Sequence, residues 1–409
     1  MEQTMAPETL QPPDYPPSRD ARCPFDLPTL YRELRERAPL TRVRVWDGST
    51  PWLVTRHADA LQALNDPALV VDSDLPGFPV MSAAFATRFK HVRPFFFRDE
   101  ASYQSQRAMI INEFAPRRIE SLRPAVERIV NETVDALLTL PGKADLMPEF
   151  ALPIATRTMC TLLGVSDHQR LVLHELSRVL ASRTAGPEEV AQALNGIDAY
   201  FLGVIDDHLH TPADDLVGRA LVPHIDAGDL SREDAATMVQ VLFTSGHGTT
   251  TPMIATSIAA LFAHPEQLAR LRASREPRLF ARAVDELFRY VTVAHIGRAR
   301  IAASDTTIGD TRIRAGDGVL IQLDAANRDP EQFPEPDTFD IHRTPRRHLA
   351  LGHGIHKCMG QALAKMELHV SLETLLRRLP HLRVDAGPDA LPFADDENAL
   401  RLQSLPVTW

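Results

Sequence analysis

The sequence predicts a mostly α chain with a minor β part, on three observations. Helical spacing persists almost without a break from about Arg117 to Leu271. One apolar-rich run, from Ser231 to Phe262, is long enough to cross a whole domain, and β-like alternation is confined to short stretches near residues 41–55 and 298–321. A length of 409 residues, with 44% hydrophobic and 24% charged side chains, is an ordinary globular composition that excludes collagen-like, coiled-coil and disordered chains.

Prolines crowd the first thirty residues (Pro7, Pro12, Pro13, Pro16, Pro17, Pro24, Pro28), which predicts a flexible, extended lead over 1–20 ahead of a single domain over 21–409. A helix follows from Pro28 to Arg37. Thr41–Trp46 and Pro51–Thr55 read as a hairpin about Asp47-Gly48-Ser49, and helix resumes at His57. Ser231-Arg-Glu-Asp234 has the form of a capping box. The run behind it, some thirty residues at about 1.5 Å each, makes a helix roughly 45 Å long, which must be central and buried. Another helix fits Pro277 to Tyr290, and short strands around Gly309-Asp310 and Ala315-Gly-Asp317 fill Arg298 to Ile321. A last helix begins just after Cys358 and ends near Leu379. There is no internal repeat and no linker.

Lys plus Arg total 44 against 54 Asp plus Glu, a net charge of −10, so the chain as a whole attracts neither nucleic acid nor an anionic membrane, and any basic docking face is local. Only Lys90, Lys143, Lys357 and Lys365 are lysines; the remaining cations are forked guanidinium groups suited to carboxylates. Cys23, Cys160 and Cys358 lie too far apart for a disulfide framework or a CxxC zinc module. No stretch reaches 18 apolar residues, and Met1-Glu2-Gln3-Thr4 lacks the start of a signal peptide, so the expectation is a soluble protein of the reducing cytosol.

The segment His348-Leu-Ala-Leu-Gly-His-Gly-Ile-His-Lys-Cys-Met-Gly360 sets one cysteine at the mouth of a helix behind Gly352 and Gly354. Helix amides and the positive end of the dipole lower a thiol pKa there, which makes a metal ligand or a nucleophile. A lone cysteine can equally be a small buried hydrophobe. With His348, His353 and His356 the same segment could pass for a zinc cluster, but zinc needs converging ligands, and His356 and Cys358 flank a single loop residue.

The segment closely resembles the Phe-Gly-x-Gly-x-His-x-Cys-x-Gly signature of the cytochrome P450 superfamily, the heme-thiolate monooxygenases, with Leu351 at the phenylalanine position and Gly352 after it. Further matches follow in family order over residues 20 to 409. They are Ser245-Gly-His-Gly-Thr-Thr250 for the oxygen groove, Glu286-Leu-Phe-Arg289 for Glu-x-x-Arg, and Ala326-Asn-Arg-Asp-Pro330 with Phe333, Pro336, Phe339 and Arg343 for the meander. Leu405-Pro-Val-Thr-Trp409 resembles a common bacterial ending. The resemblance implies the cytochrome P450 fold, with its long central I helix over heme b and Cys358 as the axial iron ligand. It implies a His356 hydrogen bond to a heme propionate, propionate pairing by Arg107 and Arg298, and a phenolic hydrogen bond from Tyr103, where the family commonly has histidine. Glu286, Arg289 and Arg343 would form an internal ion-pair network. Electrons would come from NAD(P)H through ferredoxin reductase and ferredoxin, the ferredoxin docking on a basic patch of Arg346, Arg347, Lys357 and Lys365.

At 100° per residue, Leu242, Ser245 and Met253 lie within about 40° of Thr249 and should face the heme, while His247 points away. Gly248 stands where the family usually has the acid that relays protons together with the threonine. Pro252 frees the Gly248 carbonyl and should bend the helix into a wetter groove. Thr249 and Ser245 are then the hydroxyls at the groove. Substrate-pocket candidates are Phe85, with Phe89, Phe95 and Phe96 on the same stretch, and Val293, Ala294, His295 and Phe393; each fits core packing as well. The expected reaction is oxygen insertion from O₂, hydroxylation foremost, into a mostly apolar small molecule. Phenol coupling or desaturation is the alternative that Gly248 favours, and a heme-binding sensor or carrier without turnover is the alternative of another class.

Overall fold

The computed structural model describes residues 11–19, 25–91, 94–211, 213–274, 276–344, 347–385, 387, 390–394, 396–397 and 399–409. Helix dominates it. After α1 (Thr29–Arg37), strands β1 (Leu40–Arg42) and β2 (Trp52–Val54) pair antiparallel with Thr41 opposite Leu53, followed by α2 (His57–Asn65) and β3 (Leu69–Val70). Then come α3 (Ala83–His91), α4 (Glu100–Ile110), α5 (Arg123–Leu138), α6 (Leu152–Leu163), α7 (Arg170–Ala181) and α8 (Pro187–His210). The long helix α9 (Arg232–Ala263) precedes α10 (Pro277–Val291), β4 (Arg298–Ala302), β5 (Gly318–Ile321) and α11 (Gln361–Arg378).

Strands β1 to β5 form one sheet in the order β1-β2-β5-β4-β3, with β5 parallel to β2 and antiparallel to β4. A two-stranded sheet, Thr306–Ile308 with Thr311–Ile313, turns at Gly309, whose φ of +54° suits glycine. No helix among the described residues is long and apolar enough to cross a membrane.

Helix α9 starts as its sequence predicts: the Ser231 hydroxyl accepts from the Asp234 amide at 3.0 Å. It is apolar on nearly every side, because it runs through the largest hydrophobic cluster and packs against α6, α7, α8, α10 and α11. Gly246 faces α6, and a Cβ there would stand 2.3 Å from the Met159 sulfur, so a larger residue requires the Met159 side chain to move. Pro252 lies inside the helix, which continues through it to Ala263.

The described part of the proline-rich lead departs from the expected flexibility. Tyr15 is buried, donating its hydroxyl to Gln322 Oε1 at 2.6 Å and accepting from the Gly297 amide at 2.6 Å, while Asp14 pairs with Arg44. A buried aromatic ring with its hydroxyl satisfied docks this stretch against the five-stranded sheet.

Candidate active site

The cysteine loop leads into α11, with Gly360 rather than Cys358 as the residue before its first turn. The Cys358 amide donates to the Leu351 carbonyl at 2.9 Å, closing the loop, and Gly352 and Gly354 take φ of +72° and +71°. A Cβ on Gly354 would lie 2.7 Å from the Leu64 carbonyl, so glycine lets the loop press on α2. Leu351 and Gly352 are half-buried beneath it.

Cys358 and Arg298 share an unusual environment. Solvent reaches both side chains, yet protein surrounds them closely enough that burial raises the thiol pKa and lowers that of the guanidinium. Such groups line an internal cavity rather than the outer surface. The Cys358 shift runs against the sequence expectation. The Gly360 amide and the nearby Arg298, Arg107 and Lys357 favour the thiolate, but desolvation outweighs them. Cys160, the other described cysteine, is a buried apolar thiol whose pKa burial pushes up to about 12. Cys23 lies outside the described residues.

Around that cavity α4, β4 and the cysteine loop bring together Tyr103, Arg107, Arg298 and His356. The Tyr103 ring stacks on the His356 ring, centroids 4.3 Å apart. Its hydroxyl accepts from Arg107 Nη1 at 3.2 Å and donates to the Ile355 carbonyl at 3.0 Å. A phenol has one proton, and here it holds the cysteine loop, which replaces the expected donation to a propionate. Burial, with Arg300 and Arg107 alongside, lowers the His356 pKa to about 3. Arg300, which no sequence motif marks, joins them. It sits two residues along β4 from Arg298, on the same face, and burial followed by repulsion from Arg298 lowers its pKa to about 10. Strand alternation at Arg298-Ala-Arg300 was the signal that could have found it.

On α9 the exposed positions at mid-helix are Ser245, Gly248 and Thr249, while Leu242 and Met253, expected on the same face, are buried at either end. The Thr249 hydroxyl donates to the Ser245 carbonyl at 2.8 Å. A Cβ at Gly248 would meet nothing within 4 Å, so open space borders this position. His247 is a satisfied core residue. Its Nδ1 lies 2.7 Å from the Phe243 carbonyl, its ring meets that of His174, and burial lowers its pKa to about 4.

Glu286, Arg289 and Arg343 do meet. Arg289 holds the Glu286 carboxylate through Nε and Nη2, both at 2.7 Å, and Arg343 Nε reaches it at 3.1 Å. The two arginines also bind the carbonyls of Asn327, Pro334, Glu335, Pro336 and Thr338. Asn327 passes the connection on, its side chain accepting from the Leu349 amide at 2.7 Å just ahead of the cysteine loop.

The pocket candidates divide. Phe85 is half-buried against Phe89, Val293 is buried, Ala294 is half-buried, and Phe393 packs edge-on to Phe25. His295 faces elsewhere. Its Nε2 lies 2.9 Å from the Glu397 carbonyl, and it lines a separate cavity of about 100 Å³ with Tyr31 and Arg183, for sequence neighbours on a turn need not share a face. Of the expected basic patch, Arg347 and Lys357 are exposed, Lys365 is paired with Asp285 at 2.6 Å, and Arg346 lies outside the described residues.

A family model described as Cytochrome P450 matches residues 214–393. The chain is 40% identical to Cytochrome P450 GfsF of Streptomyces halstedii, over 97% of this chain and 96% of that one; the crystal structure of GfsF superposes with a TM-score of 0.91 over 97% of this chain and 100% of the other. It is 37% identical to the mycinamicin VIII C21 methyl hydroxylase of Micromonospora griseorubida, covering 95% and 98% of the two chains, and the structure of that enzyme bound to mycinamicin VIII gives a TM-score of 0.91. Vitamin D3 dihydroxylase of Streptomyces griseolus is 36% identical over 98% of both.

Proposed function

Because the chain belongs to the cytochrome P450 family of heme-dependent monooxygenases, we propose that it hydroxylates a mostly apolar small molecule with O₂, drawing electrons from NAD(P)H through a ferredoxin reductase and a ferredoxin. The residues present fit heme b. Among the described residues the Arg298 guanidinium has no hydrogen-bond or ion-pair partner, although it sits within the protein beside the Cys358 thiol. A cation so placed suits a propionate, and Arg107 and the His356 ring complete a donor set for the pair of carboxylates. That coincidence of a thiol with one unpaired guanidinium, Arg298, carries the reading.

Bound heme supplies oxygen activation, with thiolate electron donation favouring O–O cleavage. Cys358 supplies the sulfur, and Tyr103 fixes its loop through the Ile355 carbonyl. On α9, Thr249 Oγ1 and Ser245 Oγ border the open space at Gly248 and can hold a water there, passing protons in place of the absent carboxylate. The carbonyl of Gly248, which Pro252 cannot bond, gives that water an acceptor. Exposed Arg347 and Lys357 suit an acidic ferredoxin on the side of the cysteine loop.

Gly248 also favours a second reading, phenol coupling or desaturation, in which the substrate supplies protons that the relay otherwise must. Isotopically labelled O₂ separates the two. Label in the product, together with hydrogen peroxide released by Thr249→Ala at the expense of product, supports hydroxylation; an unlabelled product with coupling unchanged in Thr249→Ala supports the second reading.

A further inference from the structure

Helix α3 carries a cation that no part of the account so far uses. The Arg88 guanidinium lies 5.9 Å from the Phe85 ring, on a helix whose other aromatic residue, Phe89, packs on Phe97 with centroids 4.8 Å apart, and Phe97 in turn packs on Phe96 and Phe78. Its Nε is buried and makes no hydrogen bond, and among the described residues no carboxylate lies within ion-pair distance. Burial lowers its pKa to about 10, opposed by one more distant charge, Asp198 on α8, whose own pKa burial raises. Isolated cations in apolar surroundings are costly, and their partners are normally close. The remaining atoms of Arg88 are still reached by solvent, as is Asp198. Arg88 and the phenylalanines of α3 therefore lie where α3 packs against α8, and α8 packs along α9, the helix that carries Ser245, Gly248 and Thr249.

We propose that Arg88 is the anchor of the substrate site, taking a monocarboxylate carried on an apolar skeleton. The inference rests on the P450 reading and narrows its substrate class. A guanidinium fork matches a carboxylate in two parallel hydrogen bonds, and the flanking phenylalanines take the apolar remainder. Asp198 sets the charge limit: one cation opposite one acid accommodates a single negative charge and repels a dianion such as a phosphate monoester.

The test uses the heme-loaded full chain and the low-spin to high-spin shift of the Soret band. Dodecanoate and naphthoate are each titrated against their methyl esters. The carboxylates are expected to bind on the order of tenfold more tightly than the esters, the usual worth of a charge-assisted hydrogen bond. Arg88→Gln should erase that preference, Arg88→Lys should keep part of it, and Asp198→Asn should strengthen it by removing the competing acid. The opposite signs matter, because an Arg88–Asp198 contact that only braces the two helices would weaken binding in both variants. Should Arg88→Gln lose heme, the Asp198→Asn result decides alone. An equal carboxylate-to-ester ratio in the parent and Arg88→Gln overturns the proposal, as does the absence of any shift in the parent, or weaker carboxylate binding in Asp198→Asn. The carbon monoxide spectrum of the same samples keeps the two readings apart: a thiolate-type spectrum without carboxylate preference defeats this inference alone, whereas loss of that spectrum in the parent defeats the P450 reading.

Discussion

Replacing Glu286 with alanine should damage the fold and the heme site together. The Glu286 side chain is 3% exposed and accepts from Arg289 and Arg343, whose side chains are 2% and 12% exposed, and from the Asp340 amide at 3.1 Å. Its removal leaves two adjacent guanidinium groups without an anion, and breaking a buried pair in this way costs about 3–5 kcal/mol. The carbonyls that still hold Arg289 and Arg343 keep the loss near the lower end. With an unfolding entropy of roughly 2.1 cal/mol/K per residue, the 409 residues give on the order of 0.9 kcal/mol/K, so Tm should fall by about 3–5 °C. Because Arg289 binds the Asn327 carbonyl and Asn327 binds the Leu349 amide, heme release by the variant should also be faster. Calorimetry at matched heme loading measures the first effect and transfer of heme to excess apomyoglobin the second. Arg312→Ala, which breaks the exposed pair with Asp305, is the control. A Glu286→Ala variant that melts no lower than this control refutes the reasoning.

Four further outcomes are expected. Gly246→Ala must displace Met159 and should lower stability by about 1–3 kcal/mol, whereas Gly248→Ala meets nothing and should gain up to about 1 kcal/mol of helix propensity, both read by urea denaturation. Gly248→Asp should hold heme and equal or exceed the parent in product formed per NADPH; a fall in that ratio argues against proton relay at this position. Burial raises the Glu367 pKa to about 8, so the folded state holds a proton that the unfolded chain releases above its ordinary carboxylate pKa. Stability should therefore fall as pH rises from about 4.5 to 8, and Glu367→Gln should flatten that fall in urea titrations. Asp215, hydrogen-bonded at 2.9 Å, raises the His208 pKa, so this pair stabilises fully below about pH 6.5 and loses that contribution as pH rises through the folded His208 pKa. The stability gap between parent and His208→Gln should accordingly be wider at low pH than at high pH.

What was legible in the sequence was local. The Ser231 cap, the uninterrupted apolar run behind it and the glycines flanking Cys358 each act within a few residues, and the family signatures supplied their spatial order. What stayed hidden depends on pairs far apart in the chain. Tyr103 meets Ile355 and His356 across some 250 positions, and Tyr15 meets Gln322 across more than 300. Periodicity identified the mid-helix face of α9 but not where it opens, since the burial of Leu242 and Met253 depends on what packs over the two ends. The Cys358 thiol was expected to be acidic from its helix, yet desolvation by the surrounding fold outweighs the Gly360 amide and the nearby cations. Arg88 has no motif around it, and only its lack of a partner in three dimensions marks it.

Thiolate ligation of heme by Cys358 is tested by the carbon monoxide difference spectrum of the reduced, heme-loaded protein, measured beside Cys358→Ser and Cys160→Ser. The parent and Cys160→Ser should absorb at the position diagnostic of thiolate ligation, and Cys358→Ser should lose that band. A thiolate-type band that survives in Cys358→Ser contradicts the account.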